Sequence, residues 1–420
     1  MGGKLFWGYV AFSTSMHLFE QYLEVRQLRR NRDTKIPPEV ATLGVDETQF
    51  LESQAYQADR RVFSMQSAWI NFFWNKIGLA ISPFLWRVAS DICGAGNEYK
   101  ITLLWLFMLH WSDKPLQIPL SLYSNFVVEA KHGFNKMTLG LFASDFVKSE
   151  LLMYLFAGPL ILAVVWLVKA GGEQFYIYLW AFSQIVLFVF MWIYPNFIQP
   201  RFNKYEPLQD DELRTKIEEL ASSEEFPLTR LYQVDGSKRS GHSNAYCYGF
   251  GKNKRIVVFD TLLTQPHDEI LAVLLHELGH WKFMHVLTSL AINSTHMFLL
   301  LWTFSIVVFS EDASTAILQS FGFSDKAVIL NLILYTTLIE PMELVVVLGM
   351  TIKSRANEFQ ADSFAAIKGR GEQLRKGLLH INKENKGDLN PDSLYSWYHH
   401  SHPPMVERLR AIEGFGKKKE

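Results

Sequence analysis

Long apolar segments recur along the chain and limit the folds that it can adopt. A helix needs about 20 mostly apolar residues to cross the ~30 Å hydrocarbon core of a bilayer. About seven segments meet this requirement: Leu5–Leu23, Ser67–Val88, Ile101–Tyr123, Leu151–Val168, Tyr176–Ile198, His285–Phe309 and Val328–Met350. Because helices satisfy their backbone hydrogen bonds internally, the sequence predicts a mainly α-helical integral membrane protein.

The overall composition excludes several other classes of protein. Aromatic residues make up 14% of the chain, which is typical of proteins that sit at bilayer interfaces. A formal net charge of −1 gives no reason to expect nucleic acid as a partner. Two cysteines, Cys93 and Cys247, cannot form the disulfide framework of a small secreted module. The lipid bilayer is therefore the expected surroundings of much of the chain.

Basic residues are concentrated in alternate connections between the predicted spans. They are Arg26, Arg29, Arg30, Arg32, Lys35, Arg60 and Arg61 after the first span, Lys131, Lys136 and Lys148 after the third, and Lys353 and Arg355 after the seventh. Because cytosolic loops carry the excess of Lys and Arg, we expect a lumenal N-terminus and a cytosolic C-terminus. The tail Lys417–Glu420 looks like a dilysine retrieval signal. It favours the endoplasmic reticulum membrane, with the inner nuclear membrane as an alternative, although a frayed basic tail would look the same.

The spans divide the chain into four predicted parts. Residues 1–198 hold five transmembrane helices, and residues 285–350 hold two more with a lumenal loop. Residues 199–284 and 351–420 are predicted to be cytosolic. Both pieces are short, so we expect them to fold together. Three segments read as short strands of a small β-sheet: residues 230–234, 244–248 and 255–259.

Polar side chains within the spans are costly in lipid, and we expect them to face protein or water. They are Asn71, Asn75, His296, Glu340 and Glu343. Pro341, between the two glutamates, is predicted to break the seventh span. Hydrogen bonds between helices are the alternative explanation for these polar residues.

A His-Glu-Leu-Gly-His motif at residues 276–280 is the most informative short pattern. Residues four apart share one face of a helix, so His276 and His280 can bind one metal ion. Glu277 lies beside them and is placed to act as the general base toward a water molecule on the metal. The alternative is a buried helix with two hydrogen-bonded structural histidines.

A catalytic zinc site also needs a third protein ligand. The best candidate is Glu358, which lies one helical turn before Asp362. Glu358 can bind the metal while Asp362 orients a ligand histidine. Without the upstream motif, these carboxylates would read as a solvated helix face.

These motifs resemble those of the type I CAAX prenyl proteases, which are integral-membrane zinc metallopeptidases of the gluzincin type. The similarity runs essentially from end to end of the chain. It is carried by Phe19–Leu23, Arg26–Gln27, Phe126–Lys136, Tyr194–Pro195, Phe202–Lys204, His242–Tyr246, His276–His280, Asn357–Asp362, Ser401–Pro404 and Arg408.

The resemblance implies seven helices around a water-filled chamber, with a protease domain on the cytosolic side. It implies one Zn²⁺ and removal of the C-terminal tripeptide from prenylated CAAX proteins, with a second, N-terminal cleavage of a prenylated precursor in some relatives. The implied roles are zinc ligation by His276, His280 and Glu358, general base by Glu277, substrate backbone binding by Asn244, and contact with the reacting carbonyl by His402 and Arg408.

Three other readings compete with this one. An intramembrane site-2 protease would place its zinc motif inside a span and use a downstream Asp-Gly, whereas Asp235-Gly236 here lies upstream. A channel, transporter or non-enzymatic chamber scaffold would not need intact candidate ligands. A membrane quality-control protease would use the same site on other substrates, and the sequence leaves that reading open.

Overall fold

The computed structural model describes residues 3–94, 96–251 and 253–417. The helices are α1 (Lys4–Asn31), α2 (Pro38–Ala41), α3 (Glu47–Cys93), α4 (Glu98–Tyr123), α5 (Leu139–Ala170), α6 (Phe175–Ile193), α7 (Asp211–Ser223), α8 (His267–Lys282), α9 (His285–Phe309), α10 (Glu311–Ser320), α11 (Val328–Ala365), α12 (Gly371–Glu384), α13 (Ser393–His399) and α14 (Met405–Lys417). The strands are β1 (Tyr205–Pro207), β2 (Leu228–Val234), β3 (Ala245–Phe250) and β4 (Asn253–Phe259). Residues 418–420 of the predicted retrieval signal lie outside the described residues.

The predicted spans lie in α1, α3, α4, α5, α6, α9 and α11, and the fifth span extends into a π-helical turn at Tyr194–Ile198. Among the described residues, four helical segments are long and apolar enough to cross a bilayer: Leu139–Ala170, Gly172–Arg201, His285–Phe309 and Val328–Glu384. The mainly α-helical membrane fold is therefore confirmed, while the number of seven spans stays a prediction.

One local prediction is wrong. Pro341 does not break its span, because α11 continues through it from Val328 to Ala365. Proline is tolerated in membrane helices where neighbouring groups satisfy the freed carbonyl. The basic connection after the first span is mostly helical, since α1 extends to Asn31 and α3 begins at Glu47. Polar residues of these extensions, such as Gln27, are buried against the C-terminal segment instead of facing water.

The four strands form one mixed sheet with the order β1-β2-β4-β3. β2 and β4 are parallel, and the outer strands pair antiparallel to them. The three predicted strands are confirmed. β1 was not predicted, because it is only three residues long and ends at Pro207. β3 lies at one edge of the sheet and contacts α8.

Helix α8 is the centre of a hydrophobic cluster formed with helices from the C-terminal part of the chain. Ala272 and Leu275 of α8 are buried in a hydrophobic cluster with Ala365 of α11, Leu374 of α12 and Leu409 of α14. Residues on both sides of the α9–α11 membrane hairpin therefore share one core. The domain boundaries proposed from the sequence remain predictions.

Two polar cavities lie among the helices that carry the predicted spans. One of about 430 Å³ is lined by residues of α3 and of the π-helical turn Ser124–Glu129 that follows α4. The second, of about 310 Å³, is lined by α1, α3 and α11 and includes Asn75 and Glu340. Asn71 lines both cavities, while His296 Nε2 lies 3.1 Å from Glu343 Oε1 on a neighbouring helix. The polar groups of the predicted spans thus face cavities or each other.

Candidate metal centre

The sequence of α8 favours a buried helix that ends at the site. Pro266 precedes its first residue, and Asp268 and Glu269 stand in its first turn, where negative charge interacts favourably with the helix dipole. The apolar run Ile270–Leu275 is buried. At Gly279 the helix touches α11 so closely that a Cβ atom would lie 3.2 Å from the Cα of Ala361. This contact brings the two motif-bearing helices together.

Three candidate ligands converge where α8 meets α11. The Nε2 atoms of His276 and His280 are 3.2 Å apart. Glu358 Oε2 lies 3.6 Å from the first, and Glu358 Oε1 lies 3.3 Å from the second. Ligands at ~2.0–2.1 Å from one tetrahedral ion would be about 3.3 Å from each other. Two imidazoles and a carboxylate with this spacing fit a divalent metal ion.

Asp362 and Arg408 support this group from behind. Asp362 is fully buried, and its Oδ1 lies 2.9 Å from His276 Nδ1. Arg408 donates two hydrogen bonds to the same carboxylate, at 2.8 and 2.7 Å, and its Nη1 lies 3.4 Å from Glu358 Oε2. Paired donors of this kind keep the carboxylate ionised and fix its orientation. The side chain of Arg408 is therefore largely occupied by Asp362.

His402 approaches the group from the C-terminal segment. Its Nδ1 lies 3.0 Å from Glu358 Oε2, while 65% of its side chain remains exposed in the cleft. The hydrogen bond to Glu358 raises the pKa of His402 above its usual value. Its position leaves the ring within reach of a molecule bound in the cleft.

The candidate ligands open onto a cleft of about 820 Å³. Glu277 and Asn244 line it, and Asn244 Oδ1 accepts a hydrogen bond from the backbone N–H of Ala245 at 2.8 Å. Tyr248 and Cys247 of β3 form part of one wall. Burial raises the pKa of the Cys247 thiol well above its usual value, so the thiol stays protonated.

Sequence reasoning missed two residues beside the metal centre, His285 and Gln360. His285 Nδ1 lies 2.9 Å from His280 Nδ1, and its Nε2 lies 3.0 Å from Gln360 Oε1. His285 begins α9 just after Met284, which adopts a left-handed conformation with φ of 55°. Because the chain turns there, helical periodicity from the motif could not place His285.

Comparison with known proteins decides the family. Residues 24–204 match the family described as CAAX prenyl protease N-terminal, five membrane helices. Residues 207–415 match peptidase family M48. The chain belongs to peptidase family M48. Membership in this family makes it a metalloprotease, as the resemblance predicted, and the five membrane helices of its N-terminal family model agree with the apolar spans.

Relatives match over nearly the full chain. An Arabidopsis thaliana protein named CAAX prenyl protease 1 homolog is 42% identical over 419 residues, which cover 97% of each chain. The Homo sapiens protein of the same name is 36% identical, covering 98% of this chain and 95% of the relative. The crystal structure of S. mikatae Ste24p matches with a TM-score of 0.89 and 34% identity, covering 96% of this chain and 98% of that one. The resemblance predicted from the sequence is confirmed.

Proposed function

We propose that this M48 peptidase is a zinc metalloendopeptidase that removes the C-terminal tripeptide from prenylated CAAX proteins. The convergence of His276, His280 and Glu358 on a cleft bordered by an edge strand is the observation that carries the proposal. Relatives named CAAX prenyl protease 1 support the substrate class. A second, N-terminal cleavage of a prenylated precursor belongs to the same proposal, as the sequence resemblance implies.

Zinc suits this site because it accepts two imidazoles and one carboxylate and keeps a fourth position open. When bound, Zn²⁺ supplies Lewis acidity, which polarises a carbonyl group and makes a water molecule more acidic. His276, His280 and Glu358 would hold the ion, and Asp362 would orient His276 through its Nδ1 atom.

Glu277 is the proposed general base. It follows His276 directly in α8 and lines the cleft, so its carboxylate can reach both a water molecule and the scissile amide. It takes a proton from the attacking water and later gives it to the leaving amine. Groups with this role contribute about 10²- to 10⁴-fold to the rate.

His402 and Arg408 have different proposed parts. His402 lines the cleft and can donate a hydrogen bond to the oxygen that becomes negative in the transition state. Arg408 also lines the cleft, but its bonds to Asp362 suit it to holding the carboxylates Asp362 and Glu358 in place. If Arg408 also contacts the reacting carbonyl, it does so with the guanidinium group that already binds Asp362.

The edge strand β3 is the proposed substrate platform. An extended peptide can add to a sheet edge through main-chain hydrogen bonds, with pockets for alternate side chains. Asn244 stands immediately before β3 and can hold the substrate backbone at the start of that edge. The basic connections between spans support placing this platform on the cytosolic side of the endoplasmic reticulum membrane, with the N-terminus in the lumen.

The decisive experiment measures tripeptide release from a farnesylated peptide that ends in Cys and three further residues. Purified protein in detergent is assayed with zinc, with a chelator, and as the Glu277→Gln variant. We expect release by the wild type, its loss with chelator, and a fall of about 10²- to 10⁴-fold in the variant. His267→Asn, on the same helix but outside the cleft, is the matched control and should keep its activity.

Two results would contradict parts of the proposal separately. If the zinc-loaded wild type leaves every farnesylated peptide intact, the substrate assignment fails while the metal centre stands. If it cleaves unprenylated membrane proteins equally well, a quality-control protease becomes the better description. Full activity of the Glu277→Gln variant would show that Glu277 is not the general base.

A further inference from the structure

We propose that His285 and Gln360 are positioning residues that hold His280 in the tautomer able to bind metal. The proposal rests on the metal centre proposed above and extends it to α9. His280 Nδ1, His285 and Gln360 Oε1 form a continuous chain of contacts at 2.9 and 3.0 Å. His285 is 6% exposed, so water cannot easily replace either contact.

Metal binding fixes the direction of every hydrogen bond in this chain. The Nε2 atom of His280 points at His276 and Glu358, so it must be unprotonated to bind an ion. The proton of His280 then lies on Nδ1, which donates to His285 Nδ1. The proton of His285 consequently lies on Nε2, which donates to Gln360 Oε1.

The opposite direction of these hydrogen bonds is incompatible with metal binding by His280. If the amide nitrogen of Gln360 donated to His285, the Nδ1 proton of His285 would donate to His280. His280 would then carry its proton on Nε2, which would block ligation. The orientation that presents Gln360 Oε1 to His285 is therefore the one that selects the binding tautomer.

The two ligand histidines are thus supported in different ways. His276 has the anionic Asp362 beside its Nδ1 atom, whereas His280 has a neutral imidazole backed by an amide. Ligating imidazoles generally donate their other N–H to such an acceptor, and its loss costs about 10- to 100-fold in metal affinity. His280, His285 and Gln360 thus form a hydrogen-bonded relay. Because His285 is the first residue of α9, the relay connects the metal centre to the start of a membrane helix.

The experiment measures Zn²⁺ affinity by competition with a chelator, and the visible spectrum of the Co²⁺-substituted protein. His285→Phe and Gln360→Leu remove the acceptors, and we expect about 10- to 100-fold weaker metal binding with an altered Co²⁺ spectrum. His285→Asn places an oxygen near the position of Nδ1, and Gln360→Glu keeps an acceptor. Both should recover most of the affinity.

Controls separate the relay from packing and from the metal centre itself. His267→Asn should bind metal like the wild type, and thermal unfolding of the metal-free variants checks that they fold. Wild-type affinity in His285→Phe and Gln360→Leu would overturn the relay. So would His285→Asn binding as weakly as His285→Phe, since packing would then explain both. A wild type that binds no metal would refute the proposed centre together with the relay, whereas a loss confined to the acceptor-removing variants supports the relay.

Discussion

At the scale of single residues, the pKa values of His400 and His402 are shifted in opposite directions. His402 has the Glu358 carboxylate at 3.0 Å, which raises its pKa. Burial lowers the pKa of His400 to about 4, and the positive charge of Arg61 adds to this shift. The two residues stand two positions apart in sequence, so the surroundings of each imidazole, rather than its position in the chain, decide its charge.

The shift at His400 predicts a pH dependence of stability. Its pKa is about 4 in the folded chain against an ordinary value of 6.5, so the unfolded chain binds more protons between these values. The free energy of unfolding therefore falls as pH is lowered from 6.5 toward 4. His400→Asn should show a smaller fall across that range. Thermal unfolding of the protein in detergent at pH 7, 6 and 5 measures the difference.

Trp397→Phe is the control for this prediction, because it alters the exposed face of α13 without a titratable group. Its unfolding midpoint should follow the pH dependence of the wild type. Parallel curves for His400→Asn and the wild type would show that His400 contributes nothing to the acid sensitivity.

At the scale of elements, the approach of α8 to α11 sets the geometry of the metal centre. A Cβ atom on Gly279 would lie 3.2 Å from both the Cα of Ala361 and the ring of Phe364. His280 follows Gly279 directly, and Glu358 precedes Ala361 by one helical turn. Anything that separates the helices at this point therefore separates the ligands.

Gly279→Ala should lower the free energy of unfolding and weaken metal binding together. Overpacking costs about 1–3 kcal/mol, which exceeds the gain of up to about 1 kcal/mol from replacing glycine in a helix. Gly414→Ala in α14 is the matched control, since its Cβ would meet nothing within 4 Å. Thermal unfolding and chelator competition measure both effects. A Gly279→Ala variant as stable and as metal-binding as Gly414→Ala would contradict the role of this contact.

The elements that the sequence predicted are those specified by local periodicity. The spacing of His276 and His280, and of Glu358 and Asp362, repeats at one helical turn, so their shared faces follow from helix geometry. β2 and β4 contain runs of apolar and β-branched residues that favour strands. Periodicity placed these residues on the faces of α8 and α11, whereas the 3.6 Å approach of Glu358 to His276 depends on the packing of the two helices.

The features that the sequence did not predict depend on distant partners. β1 is held by pairing with β2, more than twenty positions away. The polar start of α3 is helical because residues such as Gln54 bond to the end of α1. The contact of His285 with His280 requires the turn at Met284, and its contact with Gln360 requires α11 to pack beside α9. No local sequence pattern predicts these contacts between distant residues.

At the scale of the whole molecule, the first helix holds the segment that leads to the cleft. Arg26 donates two hydrogen bonds to Asp392, at 3.0 and 2.9 Å. Gln27, which is fully buried, donates to Asp388 at 2.7 Å and accepts from the backbone N–H of Asp392 at 2.6 Å. Asp392 in turn caps α13, which is followed by His402. Contacts across about 360 positions thus fix the C-terminal part of the cleft.

Gln27→Leu should therefore loosen the distant end of the chain. It keeps an apolar side chain of similar length but leaves two buried polar groups without their partner, which costs about 1–3 kcal/mol for each. We expect faster proteolysis between α12 and α13 and a lower turnover of farnesylated peptide, because His402 and Arg408 follow the released segment. Limited proteolysis and the tripeptide assay on one preparation measure both effects.

Arg410→Ala offers a matched control, because it also breaks a contact between the two ends of the chain. The pair of Arg410 with Glu39 spans 3.3 Å, but its side chains are 57% and 63% exposed. Exposed pairs contribute at most about 1 kcal/mol, so this variant should resist protease and turn over peptide like the wild type. If Gln27→Leu behaved in the same way, burial of the Gln27 amide would not be what holds the cleft together. A difference between the two variants would place that function in the buried contacts rather than in charge pairing between the ends.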